Sequence, residues 1–249
     1  MRLYKYCASG NDFVIFSTDE KKDRSNLAKE LCNRYSGVGA DGMIVLLPSK
    51  DYDFEWDFYN CDGSKASMCG NGARAAALFA VQRLGKNKNL SFLSGAGEIK
   101  ASIFDDEVEI LLSKAKDIRS KFSFEDKTWQ GVDTGVPHLV YFCEDLKDFD
   151  IELCKKARDK FNANVNFAKV LDKKNMAVRT FERGVENETL ACGTGMAACF
   201  YLAYLNKLVD KSVKILPKSK EELFLRLEND DIYFKGRVRY CFEANYNLA

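Results

Sequence analysis

The chain has 249 residues, with 38 Lys and Arg against 37 Asp and Glu, a single histidine and a net charge of +1. That balance argues against a dedicated nucleic-acid binder or an anionic-membrane binder, since either needs a basic excess on one face. A hydrophobic fraction of 46% supports a real core, in one large domain or two of roughly 120 residues. The opening MRLYKYCASGNDF has no apolar signal region, and stretches such as Met43 to Leu47 or Ala75 to Val81 are too short to span a bilayer. The expectation is a soluble cytoplasmic protein.

In chain order, a first helix is expected from Ser25, a candidate N-cap, through Leu27, Leu31 and Cys32. Phe54, Trp56 and Phe58 alternate with acidic residues, the period of a half-buried strand. A helix opens at Cys69. Ile99 to Phe104 and Val108 to Leu112 flank Asp105-Asp106 and read as a hairpin. A helix covers Ile151 to Phe161, a strand Met176 to Phe181, a further helix opens at Cys192, and Leu223 to Leu227 reads as a strand.

The two helix openings echo one another. Met68-Cys69-Gly70-Asn71-Gly72-Ala73-Arg74 and Ala191-Cys192-Gly193-Thr194-Gly195-Met196-Ala197 both read Cys-Gly-x-Gly followed by small residues, about half the chain apart. The repeat predicts an α+β protein of two pseudo-symmetric domains, residues 1–117 and 118–249. Each would be a curved, mostly antiparallel sheet wrapped around a central helix, with the active site in the cleft between them. The last residues of the chain are expected to pack back on the first half.

Nine cysteines without a secretory signal argue against a disulfide framework. With no Cys-x-x-Cys pair and one histidine, no common zinc set is available, and no metal is expected. Seven cysteines are expected to be small buried hydrophobes. Cys69 and Cys192 differ. A cysteine at a helix start meets unsatisfied N–H groups and the positive dipole end, which favour its thiolate. The adjoining glycines let backbone N–H groups converge on a carboxylate. Two such elements suit inversion of a carbon next to a carboxylate, one sulfur removing a proton from one face while the other adds one to the opposite face.

At these residues the chain resembles the diaminopimelate epimerase family. The likeness runs through Ser9-Gly10-Asn11-Asp12-Phe13, Asn60-Cys61-Asp62-Gly63, the first Cys-Gly-x-Gly, Gly135-Val136-Pro137-His138, Asn164-Val165-Asn166-Phe167, and Glu182-Arg183-Gly184-Val185 leading to the second Cys-Gly-x-Gly. The resemblance implies a cofactor-independent isomerase interconverting LL- and meso-2,6-diaminoheptanedioate in lysine and peptidoglycan synthesis. Cys69 and Cys192 match the acid/base pair, His138 the residue assisting the first cysteine and Glu182 the one assisting the second. The Gly70-Asn71-Gly72 and Gly193-Thr194-Gly195 amides match the α-carboxylate cradle. Asn11, Asn60, Asn164, Glu182 and Arg183 match positions that hold the distal end of the substrate. For any one Asn, turn chemistry is the bland alternative, and Asn60 fits it well.

The chain departs from the family at Val136, where an asparagine is usual, and in the Glu186-Asn187 loop, which is one residue longer. Both bear on substrate breadth. A proline-type racemase on the same fold, a thiol redox or metal-binding protein, and a plain binding module are the competing readings. The family's small-molecule substrate leaves a homodimer open and implies neither nucleic-acid nor membrane partners.

Overall fold

A computed structural model describes residues 1–112 and 114–247. In chain order the strands and helices are β1 (Arg2–Ala8), β2 (Asn11–Ser17), α1 (Ser25–Cys32), β3 (Gly42–Leu47), β4 (Phe54–Asn60), α2 (Gly70–Leu84), β5 (Asn89–Ser94), β6 (Gly97–Phe104) and β7 (Glu107–Leu111). They continue with β8 (Lys116–Phe124), β9 (Lys127–Asp133), β10 (Pro137–Phe142), α3 (Ile151–Phe161), β11 (Asn164–Asp172), β12 (Asn175–Glu182), β13 (Asn187–Glu188), α4 (Gly193–Leu205), β14 (Ser212–Leu216), β15 (Leu223–Glu228), β16 (Asp231–Arg237) and β17 (Arg239–Asn245). The chain packs as two units, residues 1–110 with 236–249, and residues 111–235. This division falls short of the expected 117/118 cut, and β17 lies in the first unit, as its pairing with β1 requires.

In the first unit the strands lie in the order β17-β1-β2-β3-β4-β5-β6-β7. Successive pairings are antiparallel, antiparallel, parallel, antiparallel, parallel, antiparallel and antiparallel. The second unit, in the order β8-β9-β10-β11-β12-β14-β15-β16, repeats that sequence of senses, with β13 a short addition beside β12. Parallel neighbours need a crossover, and the four helices supply it: α1 joins β2 to β3, α2 joins β4 to β5, α3 joins β10 to β11, and α4 connects β12 with β14. α2 and α4 thus hold equivalent places, and so do α1 and α3.

α2 packs on β1, β2, β3 and β6, and α4 on β9, β10, β11 and β12. Both are enclosed, with Asn71 to Ala80 buried in α2 and Gly195 to Phe200 buried in α4. Alanines at 73, 75, 76 and 77 keep α2 slender enough to be surrounded by strands and cost nothing in helix propensity. α2 stops at Gly85, whose φ of 68° is the left-handed cap conformation that an ordinary side chain adopts reluctantly. On the other face of the first sheet, Ala28, Leu31 and Cys32 of α1 bury against Val14, Met43 and Val45. In the second unit, Leu153, Cys154 and Ala157 of α3 bury with Trp129, Val165 and Phe167.

Two local expectations need correction. Ser25 is the first residue of α1 rather than its cap; Arg24 holds the cap position, and the Ser25 hydroxyl donates to Asp23 at 2.9 Å. Among the seven cysteines read as core, Cys32, Cys143, Cys154 and Cys199 are buried. Cys61, in a polar turn, and Cys241, on the edge strand β17, are instead exposed, and Cys7 on β1 is half-buried. Burial pushes the Cys143 thiol up to about 11 and those of Cys32 and Cys154 up to about 12, which makes them inert at neutral pH.

Candidate active site

In the first unit the sulfur-bearing position caps α2. Cys69 is extended (φ −149°, ψ 116°), and its Sγ accepts the Gly72 N–H at 3.4 Å. The thiol therefore occupies one of the orphan donors at the positive end of the helix. Asn71, 4% exposed, donates to Asn11 Oδ1 at 2.7 Å and accepts from Arg74 Nη2 at 2.8 Å. Arg74, fully buried, also donates to the Ser9 hydroxyl at 2.6 Å. Asn11 donates in turn to Asp41 Oδ2 at 3.1 Å. An amide has two N–H groups and two lone pairs, so these contacts fix both asparagines while leaving capacity for a ligand.

Charges back this row. Arg34 grips Asp12 with two N–H bonds and reaches Asp41 at 2.7 Å, and Lys5 pairs with Asp12 at 2.8 Å. Burial alone would raise the Asp12 carboxyl, but Arg34 and Lys5 outweigh it and hold the group well below the usual carboxylate range. Asn60 ends β4, and its amide donates to the Ser64 hydroxyl at 3.0 Å inside the turn that follows. Its observed contact is turn chemistry.

In the second unit Cys192 caps α4 in the same extended conformation (φ −117°, ψ 109°). It is 7% exposed, with its Sγ 3.5 Å from the Thr194 hydroxyl. Thr194 is joined to His138, whose Nε2 lies 3.0 Å from Thr194 Oγ1. The Thr134 hydroxyl donates to the Thr194 carbonyl at 2.8 Å and steadies the helix start. His138 is the second residue of β10 and is 1% exposed.

Burial, with the Arg183 charge adding to it, lowers the imidazole from 6.5 to about 3, so the ring is neutral. The sign of the consequence for stability is fixed. Between pH 6.5 and about 3 the unfolded chain takes up a proton that the folded chain refuses, so stability falls as the pH drops, by up to roughly 1.4 kcal/mol per pH unit. His138→Gln removes that contribution. Urea unfolding between roughly pH 6 and 4 is expected to show a shallower acid decline for the variant, and equal slopes would mean the ring is not held neutral.

Asn164, 4% exposed, opens β11 and accepts the Arg183 N–H at 2.8 Å through Oδ1. The Arg183 guanidinium donates to the carbonyl and side chain of Asn162 at 3.0 and 3.2 Å, so one edge of it is already engaged. Glu182 ends β12, and burial raises its carboxyl. The lengthened loop is anchored rather than slack: Glu186 accepts from Gly184 N at 2.9 Å and from Arg158 at 2.7 Å. Glu188 is gripped by Arg179 at 2.6 Å and Lys218 at 2.8 Å.

Each unit thus gathers its own set at one end of its sheet. Cys69, Gly70, Asn71 and Asn11 lie together in the first, and Cys192, Thr194, His138 and Asn164 in the second. The Asn166 and Thr180 side chains complete the second set. Asn166 stood inside the sequence motif without a role, and nothing in the local pattern pointed to Thr180. Among the described residues no group of three or more His, Cys, Asp or Glu side chains could hold a metal ion, and no helix is long and apolar enough to cross a membrane.

Comparison with known proteins adds the following. The model of a family described as diaminopimelate epimerase matches residues 3–117 and 131–241. A diaminopimelate epimerase from Campylobacter lari is 64% identical over 249 residues, covering 100% of both chains. In fold, a phenazine biosynthesis protein from Bacillus anthracis matches with a TM-score of 0.75 at 15% identity, covering 100% of this chain and 99% of that one. A hydroxyproline epimerase from Agrobacterium vitis matches with a TM-score of 0.68 at 14% identity, covering 98% and 91%.

Proposed function

Since the chain belongs to the diaminopimelate epimerase family, we propose that it interconverts LL- and meso-2,6-diaminoheptanedioate by moving a proton at one α-carbon, without a cofactor. The observation that carries the reading is the repeated Cys-Gly-x-Gly at the start of α2 and α4, two helices in equivalent places of two topologically equivalent units. In this reading one thiolate takes the α-hydrogen: the C–H bond breaks, an S–H bond forms, and the electron pair spreads into the adjoining carboxylate. The other thiol gives its proton to the opposite face and becomes the thiolate. Net charge and proton count are unchanged, and the pair is then set for the reverse direction.

The N–H groups of the two helix starts suit the charge that develops on the carboxylate. Asn11, Asn60, Asn164, Glu182 and Arg183 serve the distal end of the substrate, with Arg183 offering a charged, forked contact to the distal carboxylate. The raised Glu182 carboxyl suits proton exchange with a cysteine. The hydrogen bonds of the second unit lead His138 toward Cys192 through Thr194, in addition to the pairing with Cys69 that the resemblance implies.

The test is a direct assay on LL- and meso-diaminopimelate in deuterated water, with L-proline as a parallel substrate. Inversion of diaminopimelate with deuterium entering at the inverted carbon is the expected result. Turnover of L-proline alone, or inversion with full retention of the original hydrogen, would overturn the reading.

A further inference from the structure

His138 can act on Thr194 only if the correct ring nitrogen carries its proton, and the side chain that decides this is Asn166. Its Nδ2 lies 3.1 Å from His138 Nδ1 and donates to the Leu139 carbonyl at 2.8 Å. Its Oδ1 accepts the Thr180 hydroxyl at 2.9 Å, across the β11–β12 pair where the two residues stand opposite each other. The amide is fully buried and Thr180 is 4% exposed. The Leu139 carbonyl can only accept, so the end of Asn166 beside it is the NH2, and that same NH2 faces Nδ1. A donor facing Nδ1 requires a lone pair there, which places the ring proton on Nε2. The Asn164 NH2 also lies 3.5 Å from Nε2, but it is as close to the Pro137 carbonyl, its acceptor, and Thr194 Oγ1 is nearer to Nε2 at 3.0 Å. From Nε2 the N–H thus points to Thr194 Oγ1, and the Thr194 hydroxyl is left to direct its own proton to the Cys192 sulfur.

We infer that Asn166 is a positioning residue of the reaction: it locks His138 in the Nε2–H form, and through Thr194 that lock presents a hydrogen-bond donor to Cys192. The place is built for it. A Cβ on Gly195 would meet Asn166 Oδ1 at 2.5 Å, so the helix gives up a side chain where the amide sits. The inference rests on the reading of Cys192 as an acid/base group, but its first readout does not.

His138 is the only histidine of the chain, so the imidazole nitrogen resonances of uniformly 15N-labelled protein belong to one ring. The wild-type spectrum is expected to show an unprotonated Nδ1 and a protonated Nε2. Asn166→Asp puts an acceptor against Nδ1 and is expected to draw the proton there; Asn166→Ser removes the NH2 and is expected to give a mixture of forms. A wild-type ring protonated at Nδ1 overturns the proposal without any variant. So does an unchanged tautomer in whichever variant folds.

For the link to the reaction, both variants are expected to lose roughly 10²-fold in kcat. Alkylation of Cys192, followed by peptide mass spectrometry, is expected to slow about tenfold while Cys69 keeps its rate. A shifted tautomer with unchanged kcat and unchanged Cys192 alkylation removes Asn166 from the reaction. Wild-type protein that leaves diaminopimelate untouched would instead sink the functional reading, with the tautomer result still standing.

Discussion

Replacing either Cys69 or Cys192 with alanine is expected to stop inversion, a loss of roughly 10⁴-fold, while leaving the protein folded. The chemistry needs two groups because a single base returns the proton to the face it came from. The fold does not need them to the same degree. Each sulfur sits at a helix start, where losing a capping group costs typically about 1 kcal/mol, so each substitution should leave the fold in place. Proton exchange separates the two. Each variant keeps one acid/base group and is expected to wash deuterium into the α-carbon of one stereoisomer without inverting it. Cys69→Ala should do so with one isomer and Cys192→Ala with the other. A single variant that still inverts, or two variants that exchange the same isomer, would defeat the two-sulfur reading.

Gly195→Ala is expected to give the second largest effect, and it strikes fold and site together. Its Cβ would lie 2.5 Å from Asn166 Oδ1, 3.1 Å from Thr180 Oγ1 and 3.3 Å from Cys192 Sγ. Asn166 cannot retreat without giving up Thr180, Leu139 or His138. The strain should cost roughly 1–3 kcal/mol, a fall of about 5 °C in Tm for a chain of this size, with activity lost beyond what the fall in stability explains. Gly193→Ala provides the contrast for stability. The nearest atom to its Cβ is Phe234 Cε1 at 3.4 Å, an ordinary contact, so its Tm should stay near that of the wild type. Equal thermal shifts in the two variants would show that the Asn166 contact does not govern the site.

These effects trace back to what the sequence could and could not reveal. The strand at Phe54, Trp56 and Phe58 was readable because its acidic neighbours face outward. β3 was not, since all six of its residues are buried and an apolar run has no period to read. β8 hides for the opposite reason: most of it is exposed, so its side chains record no inward face. The cysteine pair was legible because one local motif occurs twice. The Thr180–Asn166–His138–Thr194 row was not, because it is assembled from three strands and a helix start that lie far apart in the chain. The return of the last residues to the first half was expected, but the exact unit boundary was not legible, since no Pro- or Gly-rich linker marks a break at Ile110 and Leu111.

The position of β17 also sets a timetable for synthesis. β1 emerges first, yet the strand that covers its outer edge is translated only after residues 111–235 have been made. At ordinary elongation rates that interval is on the order of ten seconds. Throughout it, the backbone N–H and C=O groups along that side of β1 stand ready to recruit a neighbouring nascent chain. The second unit meets no such delay, because β8 is translated just ahead of its partner β9. Crowded polysomes should therefore entangle through the amino-terminal half, and slower translation after residue 111 should lower the yield of native protein.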